Sequence, residues 1–414
     1  MPARAQQVVS EASAQSSKKR PVNKPPPRAA RTTVLHLCPS LTPGDPARET
    51  VDLAILTQRA GWRTLIASSG GPLVTDSERA AVRHTRMPLD KRGLFVNWRN
   101  RVHLEALIQK ERPVLVHAHG ISAVEHAFKV CRARHLPLLA DLTQPLPDRP
   151  RMHSFLQKLG KNGCTLRVPS DFMARHLEET FHLEPESIYT APPGIDLKWY
   201  DASSIGTERL AALSRLWRLP EQATVILMPM PLGAGTGHRE LLQALAPIKR
   251  TDIFVVMVGE DREAPGTRAE IEALIGQLGL GGKVIMPDHC LDWPAACWLS
   301  SVIVAPNTAP RGQTLELLAA QAIGRPVIVS ACGANPEMVL SGETAWIVPP
   351  GDIPALTHAL REATELGTRQ RLDLTFRTRD FMASAFQQAT WFNSMMELYE
   401  AMLTPAKRHT AKAA

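Results

Sequence analysis

Apolar residues along the chain fall into short unbroken runs separated by amphipathic stretches. The runs TVLHLC (33–38), TLIAS (64–68), VLVHAHG (114–120) and LPLLADL (136–142) do not alternate with polar residues, which predicts strands buried on both faces. Between the first two, RETVDLAILTQRAG (48–61) sets Val51, Ala54, Ile55 and Ala60 at helical spacing and stops at Gly61. A Leu- and Ile-bearing segment over 98–111 stops before Pro113, and SAVEHAFKVCRARH (122–135) again reads as a helix. A polar, turn-rich stretch, PPGIDLKWYD (192–201), and a helical stretch over 206–219 then interrupt the pattern. Alternation restarts with TVILMPM (224–230), DIFVVMVG (252–259), KVIMPD (283–288), SVIVAP (301–306) and RPVIVSA (325–331) as strands, with helices between them. The last apolar stretch, 381–403, predicts one long closing helix.

Strands alternating with helices give parallel sheets covered on both faces. Two such arrays of similar size predict an α/β protein with two doubly wound, Rossmann-like domains facing a central cleft. The expected divisions are a tail at 1–32, an N-terminal domain at 33–200, a C-terminal domain at 201–380, the closing helix at 381–403 and a tail at 404–414. Ligands of such folds bind outside the carboxyl ends of the strands, where loops and helix N-termini meet.

Charge refines this picture. The formal net charge is +8, yet residues 1–33 carry seven Lys/Arg against Glu11 alone, and 404–414 add Lys407, Arg408 and Lys412. The basic character therefore belongs to the ends. They suit an anionic membrane surface, or form a solvated, proline-rich arm, and they give no sign of specific nucleic-acid recognition. No apolar run reaches the length of a membrane helix and no signal peptide is readable, so a cytoplasmic address is expected, with peripheral contact at the inner membrane face as a variant. The six cysteines are dispersed without a CxxC, which points to a reducing compartment and to no zinc ribbon or disulfide scaffold.

Several strings carry a resemblance to a known family: VLHLCPSLTPGD (34–45), SGGPL (69–73), LVHAHG (115–120), PPGIDL (192–197), AQAIGRPVIVS (320–330) and GETAWIVPPGD (342–352). The chain resembles the GT-B glycosyltransferases of family 4, in particular bacterial cell-envelope enzymes, over about residues 33–403. The resemblance implies transfer of a sugar from a nucleotide or lipid phosphate, usually with retention, without an essential metal or cofactor. The absence of an Asp-x-Asp pair agrees with that.

The resemblance also implies an Arg and a Lys after the first strand of the second domain, and two glutamates eight positions apart near the next-to-last strand. Here Pro231 and Thr236 stand at the cation positions, and Arg311 and Ala319 at the glutamate positions, with Thr314 where a Phe-Gly pair would end. On the acceptor side, Gly44-Asp45 replaces a Gly-Gly turn and Thr143-Gln144 replaces a His-Gly. The remaining donor-side candidates are the turn Gly233, Gly235, Thr236 and Gly237, whose amides can cradle a phosphate, together with Arg311, Glu316 and Glu337. Glu337 reads equally as a sugar contact or as a helix-start carboxylate. His119 is an acceptor-side contact candidate beside Gly44, Asp45 and Thr143, whereas His117 reads as a core histidine. His289, Cys290 and Cys297 lack metal-ligand spacing.

A departing diphosphate needs cations or amides to offset its charge. The sequence thus predicts a family-4-like protein of envelope polysaccharide or glycolipid synthesis with weak or no standard transfer activity. One alternative is an active retaining transferase that holds a nucleotide-sugar donor through the glycine-rich turn. Another is a non-catalytic scaffold or subunit for an active paralogue. A sugar-nucleotide epimerase of the same fold would need paired carboxylates in the cleft, and no such set is visible.

Overall fold

A computed structural model describes residues 32–404 apart from Asp45, Arg92, Arg262, Glu263 and the side chain of Leu94. The expected basic ends, but for Thr32 and Thr404, and the candidate Asp45 lie outside the described residues.

The two expected arrays are two parallel sheets. The first contains β1 (Thr33–Leu37), β2 (Arg63–Ser68), β3 (Arg83–Arg86), β4 (Leu115–His119), β5 (Leu138–Asp141), β6 (Thr165–Val168) and β7 (Ile188–Thr190), in the order 3-2-1-4-5-6-7. The second contains β8 (Thr224–Met228), β9 (Ile253–Met257), β10 (Val284–Ile285), β11 (Val302–Ala305), β12 (Val327–Ser330) and β13 (Ala345–Val348), in the order 10-9-8-11-12-13. In each sheet the order reverses once, between β1 and β4 and between β8 and β11, and a doubly wound fold binds ligands at that point.

The central strands are apolar because helices cover both faces. On one face of the first sheet, Leu35, Leu37, Val116, Ala118, Ala140 and Leu166 pack together. On the other, Val34, Leu115 and Leu139 meet Trp391, Met395, Leu398 and Tyr399 of the last helix. Strand β3, RHTR, lies at the sheet edge and has no apolar residue, so periodicity does not reveal it. Strand β6, TLRV, carries an arginine at its centre for a reason given below. All six cysteines are free thiols. No described helix is long and apolar enough to cross a membrane.

The closing helix differs from expectation. It is two helices, Thr368–Ala385 and Gln388–Leu403. The main chain breaks between them because Ile195 takes over its hydrogen bonding: Ile195 N donates to Phe386 O (2.8 Å) and Gln388 N donates to Ile195 O (3.2 Å). Helix Gln388–Leu403 thereby returns to the N-terminal half and packs on it. The turn at Pro192–Ile195 has to approach closely, since a Cβ on Gly194 would stand 2.7 Å from both Gln388 Cα and Trp391 Cβ. Gly194→Ala should therefore destabilise the protein by about 1–3 kcal/mol, the usual range for overpacking. Thermal denaturation checks this; an unchanged midpoint would show that the last helix is not held here.

Candidate functional site

The glycine-rich turn follows β8 and leads into helix His238–Leu245. Gly235 (φ 71°) and Gly237 (φ 91°) adopt left-handed backbone. Both also lie against the loop after β11: a Cβ on Gly235 would strike Ala309, and one on Gly237 would strike the Pro306 carbonyl. Gly235 O accepts from Thr308 N (2.9 Å) and Ala309 N (3.0 Å). Thr236 is buried, and its hydroxyl donates to Gly233 O (2.6 Å) while lying 2.8 Å from His238 Nδ1. Because that hydroxyl proton is already committed, His238 Nδ1–H is the donor to Thr236 Oγ1. Burial holds the His238 imidazole neutral, with its pKa lowered to about 4. Among the described residues, the amides of Gly235, Thr236 and Gly237 donate to no protein acceptor. The turn thus keeps amides that can face an anion, but its one hydroxyl is spent inside the protein.

Beyond Ala309 the same loop crosses to the other half of the molecule. Gly312 N donates to Gln144 Oε1 (3.2 Å), and Gln144 Nε2 donates to Gln313 O (2.8 Å). A Cβ on Gly312 would run into the Thr143 carbonyl and the Met173 sulfur. Gln313 Nε2 donates to Glu49 Oε2 (3.0 Å) on helix Ala47–Arg59. The two segments where the family pattern is broken, Thr143-Gln144 and Arg311–Thr314, are therefore bonded to each other. Arg311 is half-buried, with its Nε unpartnered. Burial pushes the Glu316 carboxyl up, and the Arg311 charge works against that rise. Ala319 is buried in helix Leu315–Ala322.

Glu337 also reaches across. Its carboxylate accepts from Asp171 N (2.8 Å) and Phe172 N (2.7 Å), and it lies 3.5 Å from Arg175. It caps helix Asp171–Phe181 of the N-terminal half, whose own first-turn cap is Ser170. Burial raises its pKa, and the two amides oppose the rise.

On the N-terminal side, one face of the first sheet carries a row of polar side chains. His36, His117, His119, Asp141 and Arg167 are linked by strand register: His36 opposite His117, His119 opposite Asp141, Asp141 opposite Arg167. All are buried. Arg167 Nη1 donates to Asp141 Oδ1 (3.0 Å) and pairs with Glu49 Oε1 (2.7 Å), and Nη2 donates to Ala191 O (2.6 Å). His119 Nδ1 faces Asp141 Oδ2 (3.2 Å), and His117 Nδ1 faces the Tyr399 hydroxyl (2.7 Å). Burial alone would raise the Asp141 carboxyl, but Arg167 and His119 outweigh it and hold the pKa below the usual carboxylate value. For Glu49 burial wins over Arg167 and the pKa rises. Gly44 O accepts from Arg48 N (3.1 Å) at the start of the helix that bears Glu49.

His119, expected at the acceptor cleft, is thus buried within this row, and Thr143 is buried beneath the Gly312 loop. Sequence reasoning missed Glu49, Asp141, Arg167 and Gln313. For Asp141 the signal available was a polar residue within an apolar run; Arg167 lies in the short, polar strand β6, and Glu49 and Gln313 lie outside the strands. A separate recess of about 730 Å³ lies between helices Leu94–Glu111, Ile121–Ala133 and Pro150–Lys161, lined by residues of the N-terminal half such as Trp98, His126 and Phe155; none of its lining residues belongs to the glycine turn.

Comparison with known proteins adds to this geometry. The family described as Glycosyltransferase Family 4 matches residues 47–199, and that described as Glycosyl transferases group 1 matches residues 224–365. A D-inositol 3-phosphate glycosyltransferase of Nocardioides sp. is 26% identical over 241 residues, covering 54% of this chain and 49% of the relative. An MMP alpha-(1->4)-mannosyltransferase of Mycolicibacterium hassiacum is 29% identical over 265 residues, covering 61% and 59%. The alignments span about half the length of these relatives. Among solved structures, a glycosyltransferase from Rickettsia africae superposes with a TM-score of 0.79 at 21% identity, over 91% of this chain and all of that one. Anabaena HepE in complex with UDP-glucose superposes with a TM-score of 0.76 at 16% identity, over 90% of this chain and all of that one.

Two outcomes follow from the site. Gln313→Ala leaves Glu49 Oε2 and the loop without their bridge, and should cost about 1–3 kcal/mol, the range for stranding a buried polar group. Chemical denaturation measures this; a neutral effect would mean that the Gln313–Glu49 bond does not help hold the halves together. Second, the unfolded chain protonates His238 near pH 6.5 while the folded one resists until about pH 4. The His238 contribution to stability therefore falls with acid between those values, by about 1.4 kcal/mol per pH unit. Denaturation of His238→Gln and wild type across this range should show the variant with the shallower loss; parallel curves would contradict a buried neutral imidazole.

Proposed function

Because the chain belongs to the family-4 glycosyltransferases and has their GT-B fold, we propose that it serves bacterial envelope polysaccharide or glycolipid synthesis with little or no standard sugar transfer of its own. The observation that carries this reading is the mutual bonding of the segments that would bracket a donor and an acceptor. Gln144 holds Gly312 and Gln313, and Glu337 is committed to the amides of Asp171 and Phe172. A sugar diphosphate entering the cleft would have to displace these contacts.

The electrostatics support the same reading. Departure of a nucleoside diphosphate places negative charge on its phosphates, and each lost preorganised donor costs about 10²–10³ in rate. Pro231 offers neither a cation nor an N–H, Thr236 has spent its hydroxyl, and Ala319 has no carboxylate to orient a sugar or ribose. Such losses act on one site and are not additive, so they remove most of the advantage without a simple sum. The chain then acts as a scaffold or subunit beside an active paralogue, with its basic ends available for docking to that partner or to an anionic inner-membrane face.

A second reading rests on one specific feature. The amides of Gly235, Thr236 and Gly237, which have no acceptor among the described residues, can at a helix start hold a phosphate without a side-chain cation. Under that reading the chain is a retaining transferase with a nucleotide-sugar donor. Calorimetric titration with UDP-glucose and GDP-mannose separates the two. The proposal expects no saturable heat in the micromolar range. Micromolar binding that Gly235→Asp abolishes, accompanied by turnover with an acceptor, would overturn it.

A further inference from the structure

We propose that His36, His117 and His119 form a binding site for a divalent transition-metal ion of the zinc class, at the switch point between β1 and β4. The proposal does not rest on the reading of the transfer site. His36 and His117 are register partners, and His119 follows His117 by two residues on the same face of the sheet. All three rings are fully buried. One ring nitrogen from each lies within 4.8 Å of those from the other two. His36 Nδ1 and His119 Nε2 are 3.1 Å apart. Nitrogens on a tetrahedral zinc, with bonds of about 2.0–2.1 Å, stand about 3.3 Å from each other, so the rings need little movement to share an ion.

The surrounding groups fix the proton positions that such a site requires. The Asp141 carboxylate accepts from His119 Nδ1, which leaves Nε2 as a lone pair facing His36. His117 Nδ1 lies at hydrogen-bond distance from the Tyr399 hydroxyl, and when it donates there its Nε2 also presents a lone pair. Histidines that ligate metals usually give their second ring N–H to a carboxylate or other acceptor; His119 does so to Asp141, and the Tyr399 hydroxyl is placed to take the same role for His117. Without an ion, a hydrogen bond from His36 Nδ1 to His119 Nε2 satisfies those two atoms, but the buried His117 Nε2, 3.8 Å from Asp141 Oδ2, has no hydrogen-bond partner, and neither has His36 Nε2. Buried polar atoms are rarely left so. An ion would occupy the His117 lone pair and replace the His36–His119 bond with two coordinate bonds.

The donor set selects the class of ion. Neutral imidazole nitrogens suit Zn, Co, Ni and Cu rather than Mg or Ca. Asp141 and Glu49 share the face with Arg167, so with both carboxyls ionised the surroundings attract a cation. An ion here would tie β1 to β4 and, through His117, to Tyr399 of the last helix. Because the rings are sealed from solvent, loading belongs to the time of folding and exchange afterwards is slow.

The test uses the full chain without an affinity tag, produced in cobalt-supplemented medium and purified without chelator. About one equivalent of cobalt per chain is expected, and His117→Gln should lower the content to below about a tenth while the exposed-site control His358→Asn keeps it. Should His117→Gln fail to fold, X-ray absorption on the cobalt-loaded wild type decides, with three imidazole nitrogens expected. Metal-free wild-type protein would overturn the proposal. So would cobalt retained at full level by folded His117→Gln, or a first coordination sphere lacking imidazole.

Discussion

The structure depends on how Arg167 is buried. A guanidinium cannot lose its charge, and this one has no exposure to water. It is kept by two carboxylates, Asp141 on the neighbouring strand and Glu49 on the overlying helix, and by the Ala191 carbonyl. Removing one partner of such a buried pair costs about 3–5 kcal/mol, because the remaining charge is stranded. Glu49 must therefore stay in place. Gln313 binds its second oxygen, so a loop of the C-terminal half is fixed to the interior of the N-terminal half.

Under the proposed reading, that constraint changes what the cleft can do. In a two-domain transferase the space between the sheets admits a donor from one side and an acceptor from the other. In this chain Gln144, Gly312, Gln313 and Glu337 join the two halves by protein–protein hydrogen bonds. The glycine turn keeps the backbone shape of a phosphate cradle, yet its glycines are also required by contact with Pro306 and Ala309. Their presence is explained by packing whether or not a ligand is bound. Under the proposed reading, the positions that the family resemblance assigns to cations hold a proline and a threonine, neither of which can offset a diphosphate.

Much of the fold was readable from the sequence because fully buried parallel strands are short apolar runs, and β1, β4, β8 and β11 are of that kind. Edge strand β3 was not readable, since its four residues are polar. The break at Phe386–Gln387 was hidden because it is made by a distant backbone partner, Ile195, and not by a local breaker. The residues at the positions that the resemblance assigns to donor contacts, Pro231, Thr236, Arg311 and Ala319, were legible once the register was set. The contacts between the halves were not, because Gln144 and Gln313, 169 residues apart, carry no periodic signal. The buried row was half legible: His117 and His119 stood out, but Arg167 sits in a run too short and too polar to read as a central strand.

Amide hydrogen exchange with and without saturating UDP-glucose tests the central claim most directly. The peptides spanning Gly233–Gly237 and Asp171–Phe172 report the donor turn and the inter-half cap at once. A cleft held shut by its own hydrogen bonds predicts identical exchange in both conditions, with the Asp171 and Phe172 amides slow throughout. Protection of the glycine turn by the nucleotide sugar, together with faster exchange at Asp171 and Phe172, would show that the cleft opens and accepts a donor, and would contradict the account.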